Sequence, residues 1–229
     1  MRVVLFFVAM LTALSAQAQF RFAQQQVHTK GYLLDADSVW LGTGNGVVKM
    51  LRDGSLLQRW TREAFPSLQG SPSVITKDNQ GRLLTYSDFW GIRRFNGSDW
   101  ETITDPFTPV IGPLSFFDMV VDDQNRIVLG GGGMFIYRQN GTAWEQIPLP
   151  FVANRLKRGP DGDLWINGGG LVARYNGVNW TTSEASLPNK RFCFDFTWDT
   201  NGDLFAIFYQ QNFNIPEIWK FPQGDLDQP

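Results

Sequence analysis

The chain has 229 residues with one cysteine and one histidine, and its 20 basic residues face 22 acidic ones for a formal net charge of −2. That balance offers no basic surface for nucleic acid or an anionic membrane, and a single cysteine permits no intrachain disulfide. The one histidine, His28, has no cysteine or histidine partner for a zinc site of the usual ligands, and a Ser-His-Asp or Cys-His mechanism would have to use that residue, at the edge of the N-terminal segment.

In chain order the first element is the apolar run Val3 to Leu14, behind a lone charge at Arg2 and ahead of Ser15-Ala16-Gln17-Ala18, a small-residue sequence that a signal peptidase cleaves. Residues 1–18 are expected to be a removed secretory signal, leaving a mature domain over 19–229 with the cut near Ala18. At about 12 residues the run falls short of the roughly 20 that span a bilayer, and no later segment is longer or more apolar. No cysteine follows the run to carry a lipid anchor. The expectation is a soluble exported chain, secreted or periplasmic, with no membrane insertion. Loss of Arg2 leaves 19 basic residues against 22 acidic ones, a net charge of −3.

A spare segment, Phe20-Arg21-Phe22-Ala23, precedes five copies of one pattern. The pattern is an apolar strand, an Asp/Asn/Gly turn, a second strand, a Gly-rich loop, a third strand ending in an aromatic, an Asn-Gly turn, and Trp. The first copy, near 27–61, is loose, with Asp37-Ser38-Val39-Trp40 and later Trp60. The second, near 72–104, predicts strands over 73–77, 82–86, 91–95 and 100–103, with Asp78-Asn79-Gln80-Gly81 and Asn96-Gly97 as turns. The third, near 116–148, runs from Asp122 to Asn140-Gly141 and Trp144. The fourth, near 153–183, has Asp161-Gly162-Asp163 and Asn176-Gly177 before Trp180. The fifth, near 192–222, has Asp199-Thr200-Asn201-Gly202 and lacks a fourth strand. Trp60, Trp100, Trp144 and Trp180 lie 40, 44 and 36 residues apart, so the loops vary in length.

Four short strands per repeat, which cannot bury both faces alone, describe stacked blades. The expected fold is all-β, a five-bladed β-propeller of four-stranded blades, closed by the N-terminal strand; the rival expectation is a fragment of a larger ring to which further sequence would add blades. The Asn-Gly pairs suit the positive backbone angles of a tight hairpin. The recurring tryptophans are expected between blades, and Cys193 is expected to be a buried thiol.

Two strings, Gly162-Asp163-Leu164-Trp165-Ile166 with Gly169 to Gly177, and Ser38-Val39-Trp40-Leu41-Gly42-Thr43-Gly44-Asn45-Gly46-Val47, resemble the two-component-regulator type of propeller repeat. The resemblance implies a sensory, extracytoplasmic binding domain. A second resemblance is to streptogramin-lyase-like propellers, although their catalytic His has no counterpart that can be placed here.

Counting seven residues back from each first-hairpin turn gives Lys30, Val74, Asp118, Arg155 and Asp195, four charges at equivalent positions that would ring a channel mouth. A ring of charges either binds a ligand or neutralises itself. On the same face lie Asp88, Trp90 and Phe213; Trp90 and Phe213 do not recur, which sets them apart from packing aromatics and suits stacking on a sugar or peptide beside the carboxylate. The candidate ligand-binding set is therefore Lys30, Asp118, Arg155, Asp195, Asp88, Trp90 and Phe213. No cofactor, metal site or catalytic set is expected, and the chain is expected to be a monomer. The favoured function is a non-enzymatic module for a glycan, peptide or protein partner. The alternative is a lyase or glycoside hydrolase using Asp118 and Asp195, although Lys30 and Arg155 should lower both carboxyls.

Overall fold

The computed structural model describes residues 31–87, 90–103, 116–131, 133–183, 192–209 and 216–226. Among these the chain forms five antiparallel sheets, each a meander of strands paired in chain order. The first holds β1 (Gly31–Asp35), β2 (Ser38–Thr43), β3 (Gly46–Leu51) and β4 (Leu56–Thr61). The second holds β5 (Val74–Lys77), β6 (Leu83–Ser87), β7 (Gly91–Phe95) and β8 (Trp100–Ile103). The third holds β9 (Phe116–Val121), β10 (Ile127–Gly131), β11 (Phe135–Asn140) and β12 (Ala143–Pro148). The fourth holds β13 (Arg155–Arg158), β14 (Leu164–Gly168), β15 (Leu171–Tyr175) and β16 (Trp180–Thr182). The fifth has three strands, β17 (Phe192–Trp198), β18 (Leu204–Tyr209) and β19 (Pro216–Phe221), and ends in a short 3-10 turn, Pro222–Gly224. The sheets are the blades of a five-bladed β-propeller. The N-terminal strand expected to close it lies outside the described residues.

In the second, third and fifth blades the first hairpin is set by one carboxylate. Asp78 Oδ1 accepts the backbone N–H groups of Gln80 and Arg82, at 3.0 and 2.9 Å, and its Oδ2 takes Arg82 Nε at 2.7 Å. Asp122 repeats this with Gln124, Arg126 and Arg126 Nε, and Asp199 with the N–H groups of Asn201 and Asp203. A short side chain that bonds the chain two and four residues ahead substitutes for ladder bonds the turn cannot make. The second turn takes its expected positive backbone angle at the glycine and not at the asparagine. Asn96 and Asn176 do not take positive φ; their side-chain oxygens accept from residues two and three ahead, while Gly97 and Gly177 take φ of 103° and 95°.

Two units make up the chain, Met1–Ile75 with Leu83–Ile103 and Thr76–Arg82 with Thr104–Pro229. In the first, Trp40, Val47 and Trp60 of one sheet pack with Ile75, Leu83 and Trp100 of the next. Trp60 stacks on Trp40 at 5.3 Å, a contact between aromatics of one blade that the next blade covers. In the second unit, Val128, Ile136 and Ile147 of the third sheet meet Leu156, Ile166 and Tyr175 of the fourth. Trp165 and Val172 of the fourth then meet Phe196, Ala206 and Phe208 of the fifth. Trp180 donates its indole N–H to the Pro148 carbonyl at 2.9 Å and so ties the fourth blade to the third.

Candidate functional site

Asp118, Arg155 and Asp195 each stand four residues before the residue that closes their blade's first hairpin, Asp122, Gly159 and Asp199. In register they face Gly130, Asn167 and Ile207. In the first blade Asp35 pairs directly with Ser38, a shorter hairpin, and Gly31 faces Gly42 where Arg155 faces Asn167 in the fourth. Lys30, Asp88 and Phe213 lie outside the described residues.

Two β-bulges flank the carboxylates. The β9–β10 ladder shifts between Gly130 and Gly131, and the β17–β18 ladder between Cys193 and Asp195. An extra residue bends the strand and re-aims the side chain beside it. Asp118 Oδ2 thereby accepts the N–H of Leu156 on the neighbouring blade at 2.9 Å. Burial pushes its carboxyl up to about 6, against the lowering effects of that N–H and of Arg155 and Lys157, with Asp195 adding to the rise. The expected lowering by nearby cations is thus present and is outweighed by desolvation.

Asp195 Oδ1 accepts Lys157 Nζ at 2.7 Å and the N–H of Phe196 at 2.8 Å. The same ammonium also bonds the Phe196 carbonyl and sits 5.0 Å from the Phe196 ring centroid. Lys157 was not singled out from the sequence. The sequence carries a signal for it, since residues two apart on a strand share a face and Lys157 stands two beyond Arg155. At side-chain exposures of 32% and 39%, the Lys157–Asp195 pair adds at most about 1 kcal/mol of stability, and its effect is to hold both groups in place.

Arg155 makes no hydrogen bond or ion pair among the described residues, while the two carboxylates around it are engaged elsewhere. Its backbone is held by the approach of the preceding link: Asn154 donates to the Asn167 carbonyl at 2.7 Å, and a Cβ on Gly168 would lie 2.0 Å from the Val152 carbonyl oxygen. Val152 and Phe194, next to this cluster in sequence, are about half exposed. Behind it, Asn167 is fully buried and donates to the carbonyl and sulfur of Cys193 at 3.1 and 3.3 Å. Cys193 is itself fully buried, and burial pushes its thiol up to about 12, so it is no nucleophile.

Trp90 belongs to the other unit. Its ring rests on Gly70, where a Cβ would come within 2.5 Å of Cδ1, and 48% of it stays exposed. Gly70 has φ of +80°, so both backbone and contact demand glycine there.

No family model matches the sequence, and no curated protein does. Solved structures do. A protein of unknown function from Bacteroides caccae is similar over 87% of this chain and 79% of that one, at 12% identity and a TM-score of 0.61. A gluconolactonase from Xanthomonas campestris is similar over 87% and 77%, at 15% identity and 0.58. YCF48, solved with a D1 peptide bound, is similar over 89% and 69%, at 16% identity and 0.56. Extracellular domains of hybrid two-component systems from B. thetaiotaomicron also match, at 0.48 and 0.36, too loosely to bear on function. At these identities the likeness establishes the fold, a β-propeller.

Proposed function

We propose that this chain is an exported binding module that takes a protein or peptide segment at the inner strands of its third to fifth blades, with Arg155 receiving a carboxylate. The carrying observation is the guanidinium itself. It keeps its forked donors unused among the described residues, while Asp118 is bonded by Leu156 and Asp195 by Lys157. A planar fork of this kind matches a carboxylate with two parallel hydrogen bonds. That a propeller of similar fold was solved with a peptide bound supports the same reading. Export rests on the leader pattern of residues 1–18, and the expected product starts at Gln19 or Phe20, which N-terminal sequencing of the secreted or periplasmic protein checks.

The test is an array of peptides with free C-terminal carboxylates and their amidated counterparts, probed with the mature protein and with Arg155→Gln. Capture of free-acid peptides that the variant fails to capture is the expected result. Equal capture by both proteins would remove Arg155 from the site.

One observation favours a second reading, hydrolysis or lyase chemistry. A carboxyl raised to about 6 is half protonated at about pH 6 and still protonated in roughly a tenth of molecules at pH 7, so it can serve as a general acid in mildly acidic conditions. If that is its role, glycosides or lactones are turned over and Asp118→Asn lowers the rate at least about a hundredfold; the binding reading expects no turnover by either protein.

A further inference from the structure

Glycine follows asparagine at six places in the sequence, after Asn45, Asn96, Asn140, Asn167, Asn176 and Asn201. Asparagine is chemically labile, and each pair carries the same latent reaction. The glycine backbone nitrogen, unshielded by any Cβ, attacks the side-chain Cγ of the asparagine and gives up its proton as the new C–N bond forms. The C–NH₂ bond breaks, the amide nitrogen leaves as ammonia with that proton, and water reopens the resulting succinimide as aspartate or isoaspartate. Two freedoms are required, an asparagine side chain able to turn back on the chain and a glycine N–H that is not already bonded. The six pairs are alike in sequence and differ in structure.

Three pairs are held at the glycine or by burial. Gly46 is buried within β3 between Thr43 and Thr61, and a Cβ on it would fall 2.1 Å from the Trp60 carbonyl oxygen. Asn167 and Gly168 are both buried in β14, and Asn167 Nδ2 donates to the Cys193 carbonyl at 3.1 Å. Gly202 donates its N–H to the Asp199 carbonyl at 3.2 Å, and Asn201 Nδ2 lies 3.5 Å from Asp199 Oδ2. Two more pairs are exposed but tied at the asparagine. Asn96 Oδ1 accepts the N–H groups of Ser98 and Asp99 at 3.0 and 2.9 Å and the Ser98 hydroxyl at 3.0 Å, while its Nδ2 donates to Glu101 Oε1 at 3.1 Å. Asn176 Oδ1 accepts the N–H groups of Val178 and Asn179 at 3.0 and 2.9 Å.

Asn140 holds the same place in its motif, four residues before Trp144 as Asn96 is before Trp100 and Asn176 before Trp180. Its turn is different. The β11–β12 ladder continues through the pair Asn140 and Ala143 and leaves a two-residue loop, whereas the neighbouring ladders end at Phe95 with Trp100 and at Tyr175 with Trp180. Drawing Asn140 and Ala143 into the ladder takes away the capping role that the other two asparagines perform. Among the described residues the Asn140 side chain and the Gly141 N–H make no hydrogen bond, and both residues are exposed. We propose that Asn140 is the deamidation site of this protein, converting without an enzyme to aspartate and isoaspartate while the other five pairs keep their amides. Each conversion adds one negative charge. Isoaspartate also routes the backbone through the side chain, inserting a methylene beside the pair that closes the hairpin. The site shares no residue with the Arg155 cluster and stands or falls apart from it.

The test incubates the mature protein in warm, mildly alkaline buffer, where the glycine nitrogen loses its proton more readily. Peptide mapping by mass spectrometry then follows each of the six pairs by the mass difference between amide and acid. The hydrogen bonds of Asn96 and Asn176 must break before either ring can close, so conversion at Asn140 is expected at least about tenfold faster than at any other pair. Asn140→Gln, an exposed change that keeps the amide but would need a larger ring, should remove the early acidic form resolved by ion exchange. In strong denaturant the six pairs should converge to rates within about threefold of one another, because the selection lies in the fold. Another pair converting as fast as Asn140 in the native protein, an Asn140 amide that persists throughout, or a preference for Asn140 that survives in denaturant would overturn the proposal.

Discussion

Asp118 shows how one side chain departs from what its neighbours in sequence imply. Two cations stand close to it, and charge counting alone gives a lowered carboxyl. The bulge at Gly130 and Gly131 turns it against the next blade, where desolvation exceeds their combined pull. Because the folded value of about 6 exceeds the ordinary 3.8, the folded state holds a proton that the unfolded state has released between about pH 4 and 6. Stability therefore falls as pH rises through that window and stays lower above it. Asp118→Asn keeps an acceptor for Leu156 and cannot ionise. Denaturant unfolding at pH 4, 5, 6 and 7 should show a flatter profile for the variant, with a gain of roughly 2 kcal/mol at pH 7. An unchanged slope would show that Asp118 is already ionised freely.

At the level of elements, the repeat was legible because its punctuation is chemical. Asp78, Asp122 and Asp199 mark the same turn three times, and each carries out the same hydrogen bonding. In the second blade the strands expected over 73–77, 82–86, 91–95 and 100–103 appear as Val74–Lys77, Leu83–Ser87, Gly91–Phe95 and Trp100–Ile103. The short β1–β2 hairpin was not legible, because Asp37 stands where a turn residue is expected while the chain closes at Asp35 and Ser38, and counting along the sequence shifts by one. The bulges were hidden for a like reason, since an extra residue leaves no mark in an apolar run such as Phe192 to Phe196. If the carboxylate organises these three turns, Asp122→Ala should lower stability by about 1 to 3 kcal/mol, with Asp122→Asn retaining part of it. A denaturation midpoint unmoved by Asp122→Ala would contradict that role.

For the whole molecule, the sequence carried the class of fold and its number of blades, because patterning and turn chemistry are local properties repeated five times. Function was less legible, since sites draw on residues that share no spacing. Lys157 matters through Asp195, which lies 38 residues away. The segment Pro222 to Leu226 lies against the fourth blade and buries Leu226 beside Trp165, a contact with no counterpart in the repeat. The inner-strand cluster is proposed to be a carboxylate receptor. It is tested most directly by calorimetric titration of the mature protein with one captured peptide, as the free acid and as the C-terminal amide, against wild type and Arg155→Gln. The account predicts that wild type binds the acid at least about tenfold more tightly and that the variant no longer distinguishes the two. Equal affinities in wild type, or discrimination that survives in Arg155→Gln, would contradict it.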